Sequence, residues 1–269
     1  MIFKNLYQPR IMINMTLLYM RSFLFLIIMF LTVPLFLPIA LFAYTLSYPR
    51  RYVVIRQWAR AMLWWLRIIC QLDYVVQGVE NMPSSPAIVF AKHQSAWETL
   101  ALQQIVPPMA WVLKRELLWV PFFGWCLAIL EPIAINRSSG RKALQSLIRQ
   151  GKERIAARRW IVVFPEGTRV APGHKGRYAI GGAMLAEHTA VPVVPIAHNA
   201  GEYWSRRSFL KFPGTIQVVI GPPIPTSGRR ADQINADAER WIEETMKKIS
   251  RHSQEDSHQS SNESINAAI

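Results

Sequence analysis

PAIVFAKHQSAWETL, residues 86–100, combines the features that decide the fold of this chain. The short apolar run that ends near Ala91 predicts a buried strand, and the polar residues after it predict a loop leading into a helix. His93 and Glu98 lie five positions apart, so on one continuous helix their side chains would point about 140° apart, and on one strand they would lie on opposite faces. The two side chains can therefore meet only if the chain turns between them.

The pattern around Glu98 has two interpretations that can hold together. Ser95-Ala-Trp-Glu98 matches an S-x-x-E capping box, in which Glu98 accepts a hydrogen bond from the backbone N–H of Ser95. A carboxylate behind a histidine also orients the imidazole, and such a pair is a general base for deprotonating a hydroxyl. Capping alone does not explain why His93 follows a buried strand.

Beyond Asp73, short apolar runs alternate with helical stretches. This alternation predicts an α/β fold, with a mixed, partly parallel sheet flanked by helices. The predicted strands are 87–90, 110–113, 132–135, 161–164, 193–197 and 216–220. The predicted helices are 97–106, 116–129, 141–159, 181–188 and about 231–251. In sheets of this kind, functional residues gather at the carboxyl ends of the strands.

Three further strand ends carry basic residues. The motif FPEGTR contains Gly167, which lets a ligand approach the backbone closely, and Arg169, whose guanidinium is a bidentate fork for phosphate. Lys114 and Arg137 follow two other predicted strands. Each cation taken singly is more typical of a solvated surface. With His93, however, they mark four strand ends that a parallel sheet would bring to one edge.

The composition favours an anionic and apolar environment. The formal net charge is +14, 51% of the residues are hydrophobic, and ten are tryptophan. Such a charge attracts nucleic acid, anionic lipid or phosphorylated small molecules, and the hydrophobic content favours lipid. Cys70 and Cys126 are far apart in apolar surroundings, which indicates reduced cysteines in a cytosolic setting, without a disulfide framework or metal-ligand spacing.

Residues 22–49 contain no charged side chain and are long enough to cross a bilayer, which takes about 20 apolar residues. Pro34 and Pro38 each remove a backbone donor and predict a break near the middle of this segment. Arginines flank it on both sides. This charge pattern favours a re-entrant helix–break–helix over a straight span, which is the alternative.

Residues 52–72 predict a second N-terminal helix with Arg56, Arg60 and Arg67 on one side and apolar residues elsewhere. This is the pattern of a helix lying in a membrane interface; a core helix with one solvated face is the alternative. We therefore divide the chain into membrane-attachment helices (1–72), an α/β domain that carries the candidate catalytic motifs (73–251) and a polar tail (252–269), which is predicted to be disordered.

Several catalytic signatures are missing from the sequence. It contains no G-x-S-x-G elbow, no P-loop, no G-x-G-x-x-G and no H-E-x-x-H, and no pattern with zinc spacing. A serine hydrolase, a nucleotide-binding loop and a zinc protease therefore have no support. We expect neither a metal nor a bound cofactor.

In these motifs the chain resembles the glycerolipid acyltransferases, whose best-known members are the 1-acyl-sn-glycerol-3-phosphate acyltransferases. The family block F-P-E-G-T-R is matched in full, and the block H-x-x-x-x-D is matched at His93 with Glu98 in place of the aspartate. Lys114-Arg-Glu-Leu117 resembles the family's K-x-E-L. The segment VPVVPIAHN, residues 191–199, resembles its fourth block.

Two positions depart from the family pattern. Arg137 stands in the second block, but Ala134 replaces the usual aromatic residue. The segment Tyr178-Ala-Ile-Gly181 lacks the lysine that commonly follows FPEGTR in the family. The resemblance covers about residues 80–225 and also implies a membrane-attached helical motif at the N-terminus.

The resemblance implies transfer of an acyl group from acyl-CoA or acyl-carrier protein to the sn-2 hydroxyl of 1-acyl-sn-glycerol-3-phosphate, making phosphatidic acid without an acyl-enzyme. His93 would be the general base, oriented by Glu98. The expected substrate-binding residues are Lys114, Arg137, Glu166, Gly167, Thr168 and Arg169. For Glu166, holding Arg169 or a loop in place is the alternative role.

We expect the protein at the inner (cytoplasmic) membrane, with its catalytic domain on the cytoplasmic face. The expected partners are the lipid bilayer, lysophosphatidic acid and the acyl thioester, and no nucleic acid. Two other functions remain open: acylation of another lysolipid such as a lyso-ornithine lipid, and a non-catalytic, basic membrane-surface protein. Five aromatic residues could form either an acyl groove or ordinary core: Trp111, Trp119, Phe122, Phe123 and Trp125.

Overall fold

A computed structural model describes residues 14–250, apart from the side chain of Arg137. The predicted disordered tail (252–269) lies outside the described residues. The helices are α1 (Met15–Ala43), α2 (Tyr48–Cys70), α3 (Trp97–Ile105), α4 (Phe123–Ile129), α5 (Arg141–Ala156), α6 (Gly181–Thr189) and α7 (Ala231–Ile249). The strands are β1 (Leu72–Gln77), β2 (Ile88–Ala91), β3 (Met109–Lys114), β4 (Ile133–Ile135), β5 (Trp160–Val163), β6 (Val193–His198) and β7 (Gly214–Ile220).

The described strands form one sheet in the order β1-β7-β6-β2-β5-β3-β4. From β6 to β4, neighbouring strands are parallel, whereas β7 runs antiparallel to β6 and pairs in parallel with β1. The predicted mixed, partly parallel sheet is thus confirmed. The carboxyl ends of five strands lie at the same edge.

Helices cover both faces of this sheet because successive strand residues point to opposite sides. In β2, Val89 and Ala91 pack into a core that also contains residues of α1, α2 and α3. Ile88 and Phe90 pack into a second core with residues of α5, α6 and α7. The strand is buried on both faces, as its continuous apolar sequence predicts.

Two elements differ from the sequence prediction. The single helix predicted over residues 116–129 is instead a 3₁₀ turn, Arg115–Trp119, followed by α4. Pro121 lies between the two pieces, and a proline in a helix interior removes a backbone donor and clashes with the preceding turn. Strand β1 was not predicted, and it pairs with β7 at the edge of the sheet.

The predicted break at Pro34 and Pro38 is wrong, because α1 continues through both prolines. The chain reverses after α1 instead, and α2 packs against it as the second arm of an antiparallel hairpin. One end of the hairpin is joined by a 2.9 Å hydrogen bond from Arg21 to Gln71, and its middle by a 3.1 Å bond from Trp58 Nε1 to Thr32.

The two arms of the hairpin have different surroundings. The apolar residues of α2 pack largely into the core beneath it, including Tyr52, Ile55 and Leu66, while Arg60 and Arg67 are exposed. Helix α1 is long and apolar enough to cross a membrane. Most of its apolar side chains do not pack against the rest of the protein and are exposed. By itself, one such helix near an N-terminus is a weak sign of membrane association.

The turn of the hairpin is anchored to the sheet by a partly buried group of two arginines and one glutamate. Arg51 lies 2.8 Å from Glu131, and Arg159 lies 2.7 Å from the other oxygen of the same carboxylate. Tyr48 donates a 2.7 Å hydrogen bond to the carbonyl of Met109 at the start of β3. These contacts fix the hairpin relative to the sheet.

Candidate active site

The predicted convergence of strand ends is present in the sheet. His93 follows β2, FPEGTR follows β5, Lys114 ends β3 and Arg137 follows β4, and these four strands are consecutive, parallel neighbours. Strands lie about 4.8 Å apart, so the end of β3 lies about 10 Å, and the end of β4 about 14 Å, from the end of β2. All four segments therefore border the same edge of the sheet.

His93 and Glu98 are in direct contact. His93 Nδ1 lies 2.7 Å from Glu98 Oε1. The Glu98 side chain is 0% exposed and that of His93 is 15% exposed. A polar loop between β2 and α3 produces this contact, as the sequence pattern required. With Nδ1 held by the carboxylate, Nε2 is the ring nitrogen available to accept a proton.

Glu98 also closes the first turn of α3. Its carboxylate accepts hydrogen bonds from the backbone N–H groups of Gln94 (3.1 Å) and Ser95 (2.8 and 2.9 Å to its two oxygens). The Ser95 hydroxyl accepts from Trp97 N–H instead of completing the reciprocal bond of a capping box. One buried carboxylate thus binds both the helix start and the imidazole, so the two interpretations of Glu98 are compatible.

The ring of His93 is held on its face as well as at its edge. It stacks on Phe164, the first residue of FPEGTR, with 4.0 Å between ring centroids and 13° between planes. Phe164 stacks in turn on Trp111 of β3 at 5.7 Å. Trp111 thus packs behind the site, so the core-packing alternative holds for this residue.

His198, at the end of β6, is a site residue that the sequence analysis missed. Its Nε2 lies 2.8 Å from the carbonyl oxygen of Lys92 and 3.9 Å from Glu98, and the backbone N–H of Ala200 donates to its Nδ1. Burial lowers the pKa of His198, although Glu98 acts in the opposite direction. A neutral imidazole with a proton on Nε2 fits these contacts, so His198 supports the backbone beside His93.

Glu166 has a supporting position in place of the expected substrate contact. Its side chain is 0% exposed; Oε1 lies 2.7 Å from the ammonium of Lys92, and Oε2 accepts a 2.8 Å hydrogen bond from His93 N–H. Burial raises the pKa of Glu166, and the Lys92 ammonium opposes that shift. The alternative role, in which Glu166 holds a loop in place, describes these contacts.

The remainder of FPEGTR lies against His93. Gly167 has φ +66°, a conformation that favours glycine, and Thr168 is exposed. Val170 N–H donates a 2.7 Å hydrogen bond to the carbonyl of His93, which brings the backbone of Arg169 next to the histidine. Arg169 is half-buried, and its buried Nε–H has no hydrogen-bond partner within residues 14–250. The guanidinium of Arg169 thus has a donor without a protein partner in the described part of the chain, and guanidinium N–H groups form strong hydrogen bonds to anions.

Lys114 and Arg137 lie at the ends of the two strands that are farther from β2. The Lys114 side chain is 55% exposed and lies 3.6 Å from Glu116. Arg137 begins a short 3₁₀ turn, Arg137–Ser139, and its side chain lies outside the described part of the structure. Arg206 is a further cation that the sequence analysis missed, and it donates a 2.9 Å bond to the carbonyl of Arg169.

The other four aromatic candidates differ from Trp111 because they are exposed. Trp119, Phe122, Phe123 and Trp125 are 39–69% exposed around the 3₁₀ turn and α4. Of these four, only Phe123 lines an apolar cavity of about 50 Å³ between α4 and the hairpin, together with residues that include Phe36 and Cys126. Within residues 14–250, no group of three or more His, Cys, Asp or Glu side chains is placed to hold a metal ion.

Comparison with known proteins identifies the family. A model of the family described as Acyltransferase matches residues 73–199, which includes both His93 and FPEGTR. A 1-acyl-sn-glycerol-3-phosphate acyltransferase from Pseudomonas aeruginosa is 47% identical over 208 residues, covering 76% of this chain and 81% of the relative. This chain belongs to the 1-acyl-sn-glycerol-3-phosphate acyltransferase family.

More distant proteins are also similar to this chain. The 1-acyl-sn-glycerol-3-phosphate acyltransferase of Saccharomyces cerevisiae is 31% identical over 208 residues, covering 72% of this chain and 67% of the yeast protein. The crystal structure of the 1-acyl-sn-glycerophosphate (LPA) acyltransferase PlsC from Thermotoga maritima matches with a TM-score of 0.72 at 22% identity. It covers 86% of this chain and 96% of that chain. The family fold predicted from the motifs is thereby confirmed.

Proposed function

We propose that this protein transfers an acyl group from an acyl thioester to the sn-2 hydroxyl of 1-acyl-sn-glycerol-3-phosphate, giving phosphatidic acid. Its membership of the acyltransferase family supports the reaction class. The observation that carries the proposal is the 2.7 Å contact between His93 and the buried Glu98, at the edge where FPEGTR also ends. A non-catalytic basic surface protein would need neither an oriented imidazole nor a buried carboxylate to hold it.

His93 acts as a general base. Its Nε2 removes the proton from the sn-2 hydroxyl as the hydroxyl oxygen attacks the thioester carbonyl. Glu98 stabilises the imidazolium that forms and holds the ring in place through Nδ1. Collapse of the tetrahedral intermediate breaks the C–S bond. The thiolate of CoA or of the carrier protein's prosthetic group then takes up the proton from His93, so no acyl-enzyme is required.

Arg169 binds the phosphate of the acceptor. Its backbone is held next to His93, and its Nε–H lacks a partner within residues 14–250. Gly167 leaves room for the phosphate to approach the loop, and Lys114 and Arg137 on the neighbouring strands supply further positive charge. A phosphate at this position would direct the glycerol hydroxyl toward the imidazole, because both groups of the ligand are only a few bonds apart.

The apolar hairpin and the exposed aromatic residues hold this edge at the membrane surface. Helix α4 packs against α1, and the 3₁₀ turn before it follows directly on Lys114. The exposed apolar side chains of this turn and of α1 therefore adjoin the active-site edge. A lysophospholipid with its acyl chain in the bilayer presents its hydroxyl at headgroup depth, where the edge can receive it. We place the protein at the cytoplasmic face of the inner membrane.

The test is acyl transfer by the purified protein in mixed micelles. We expect transfer from palmitoyl-CoA to lysophosphatidic acid, and at least about tenfold lower kcat/KM with lysophosphatidylcholine or a lyso-ornithine lipid, because only lysophosphatidic acid presents a free phosphate to Arg169. A kcat/KM for a lyso-ornithine lipid equal to or higher than that for lysophosphatidic acid would contradict the proposal and identify the lyso-ornithine lipid as the acceptor. Replacing palmitoyl-CoA by palmitoyl-acyl-carrier protein in the same assay determines the donor.

A further inference from the structure

A buried lysine lies between the catalytic loop and the last helix. The Lys92 side chain is 1% exposed, and its Nζ lies 2.7 Å from Glu166 and 2.8 Å from Glu243 of α7. Tyr178 donates a 3.0 Å hydrogen bond to the same oxygen of Glu243. Proton transfer to substrate does not use any of these four side chains, and Glu243 is more than 140 residues from His93 along the chain.

This cluster is connected to the general base by one carboxylate. Glu166 binds the Lys92 ammonium with Oε1 and the backbone N–H of His93 with Oε2. The carbonyl of His93 accepts from Val170 N–H at 2.7 Å. Both backbone polar groups of His93 are therefore fixed by the loop that Lys92 and Glu166 hold. A shift of Glu166 would move the imidazole, whose Nδ1 is constrained separately by Glu98.

Glu243 compensates part of the charge of a buried ammonium group, that of Lys92. A fully buried ammonium is stable only when its charge is compensated and its donors are satisfied. Glu166, after β5, and Glu243, in α7, supply one carboxylate each to the Lys92 ammonium. Loss of Glu243 would leave Lys92 with one charged partner, free to move or to draw in water from the side of α7, where Glu243 is 19% exposed. Glu166 would then lose its fixed position.

We propose that Glu243, acting through Lys92 and Glu166, is a positioning residue for His93, so that the C-terminal helix is part of the catalytic assembly. This proposal rests on the proposed function only in its use of turnover as one readout. The misplacement of a catalytic group by about 1 Å can lower the rate about 100-fold. Glu243 acts through two intermediaries, so we expect a smaller effect.

The first experiment compares Glu243→Gln with Glu239→Gln. Glu239 lies on the same helix and pairs with Lys175 at the surface, 2.6 Å away. We expect Glu243→Gln to lower kcat about tenfold with KM for both substrates within about twofold, and Glu239→Gln to leave both unchanged. Thermal unfolding of each variant establishes that the folded fraction is equal. A kcat for Glu243→Gln equal to that of Glu239→Gln would overturn the proposal.

A double-mutant cycle tests the route through Lys92. Lys92→Met leaves two carboxylates without their cation, so we expect a larger loss of kcat than in Glu243→Gln. In Lys92→Met/Glu243→Gln only one carboxylate remains uncompensated, and kcat should recover relative to Lys92→Met, because residues in one ionic network are not additive. Additive losses would show that Glu243 acts independently of Lys92, against the proposal.

A readout without turnover separates this proposal from the proposed function. The backbone amide of His93, observed by NMR with histidine labelled with ¹⁵N and assigned with His93→Gln, reports its hydrogen bond to Glu166. The resonance should shift in Glu243→Gln and not in Glu239→Gln. If wild-type protein acylates no lysolipid, the proposed function fails, yet this shift still supports the positioning network. An unshifted resonance overturns it.

Discussion

His93 and Glu98 meet across the turn between β2 and α3, with 2.7 Å between Nδ1 and Oε1. On one continuous helix or strand, side chains five positions apart would point away from each other, so the turn is what brings them together. The same carboxylate accepts the N–H groups at the start of α3. The orientation of the imidazole is therefore tied to the start of a helix and not to a flexible side chain. This relationship leads to the first prediction.

Shortening the carboxylate at position 98 should impair catalysis. Glu98→Asp retracts the carboxylate by one C–C bond, about 1.5 Å, so it cannot bind the helix start and Nδ1 together. We expect kcat to fall about 10- to 100-fold, and to fall further in Glu98→Gln, because an amide cannot stabilise the imidazolium. Steady-state kinetics measure both, with Glu153→Asp on the surface as control. Wild-type kcat in Glu98→Asp would mean that charge alone suffices.

Arg169 should determine affinity for the phosphate. Removing a charge-assisted contact to phosphate in Arg169→Ala should raise KM for lysophosphatidic acid about tenfold or more. Arg169→Lys should restore only part of the affinity, since an ammonium lacks the planar fork. Arg158 lies before the opposite end of β5, so Arg158→Ala is a matched control and should not change KM. An effect of equal size in both alanine variants would indicate loss of general surface charge.

The exposed face of α1 should govern membrane binding. Phe30 and Leu35 are 70% and 73% exposed. Moving such a side chain from water into an apolar environment contributes about 1.5–3 kcal/mol to the free energy of binding. Phe30→Asp or Leu35→Asp should therefore weaken binding to phosphatidylglycerol vesicles about tenfold or more in a flotation assay. Val75 is exposed on edge strand β1, and Val75→Asp should bind as wild type. Equal binding by all variants would exclude this face as the contact.

Lys211 should produce a pH-dependent stability. Its ammonium lies 5.0–5.7 Å from the centroids of Phe25, Trp204 and Phe209, and burial lowers its pKa to about 8. In the unfolded chain a lysine titrates near 10.4, so between about pH 8 and 10.4 the unfolded state binds the proton that the folded state releases. The free energy of unfolding should therefore rise with pH across this window.

Comparing wild type with Lys211→Met isolates the contribution of Lys211 to the pH dependence of stability. Thermal unfolding midpoints measured from pH 7.5 to 10.5 should show the rise for wild type and Lys152→Met, an exposed control, and a smaller rise for Lys211→Met. Parallel curves for all three proteins would show that Lys211 keeps an ordinary pKa when folded.

Much of the fold could be predicted because the relevant information is local. Continuous apolar runs identified the strands that became β2 to β7, and the basic residues after them were assigned to one edge. The prediction of a break in α1 is wrong because one helix continues through Pro34 and Pro38, with α2 packed along it, so the local tendency of proline to break a helix does not decide the outcome. Strand β1 depends on pairing with β7, which lies more than 130 residues later.

The supporting residues of the site could not be predicted for a related reason. For Glu166 the sequence left two roles open, a substrate contact and holding a loop in place, because a side chain's direction within a turn is not set by sequence spacing. His198 and Lys92 carry no motif that separates a buried, bonded side chain from a surface one. The nearest signal of a supporting role is the position of Lys92, which directly precedes His93 and follows the buried strand β2.

The central claim is that His93 is the general base for acyl transfer to lysophosphatidic acid. Transfer from palmitoyl-CoA to lysophosphatidic acid should be measured for wild type and His93→Ala, with vesicle binding and thermal unfolding as controls. We predict that His93→Ala lowers the rate at least about 100-fold while binding and folding are unchanged. A rate within about tenfold of wild type would contradict the account.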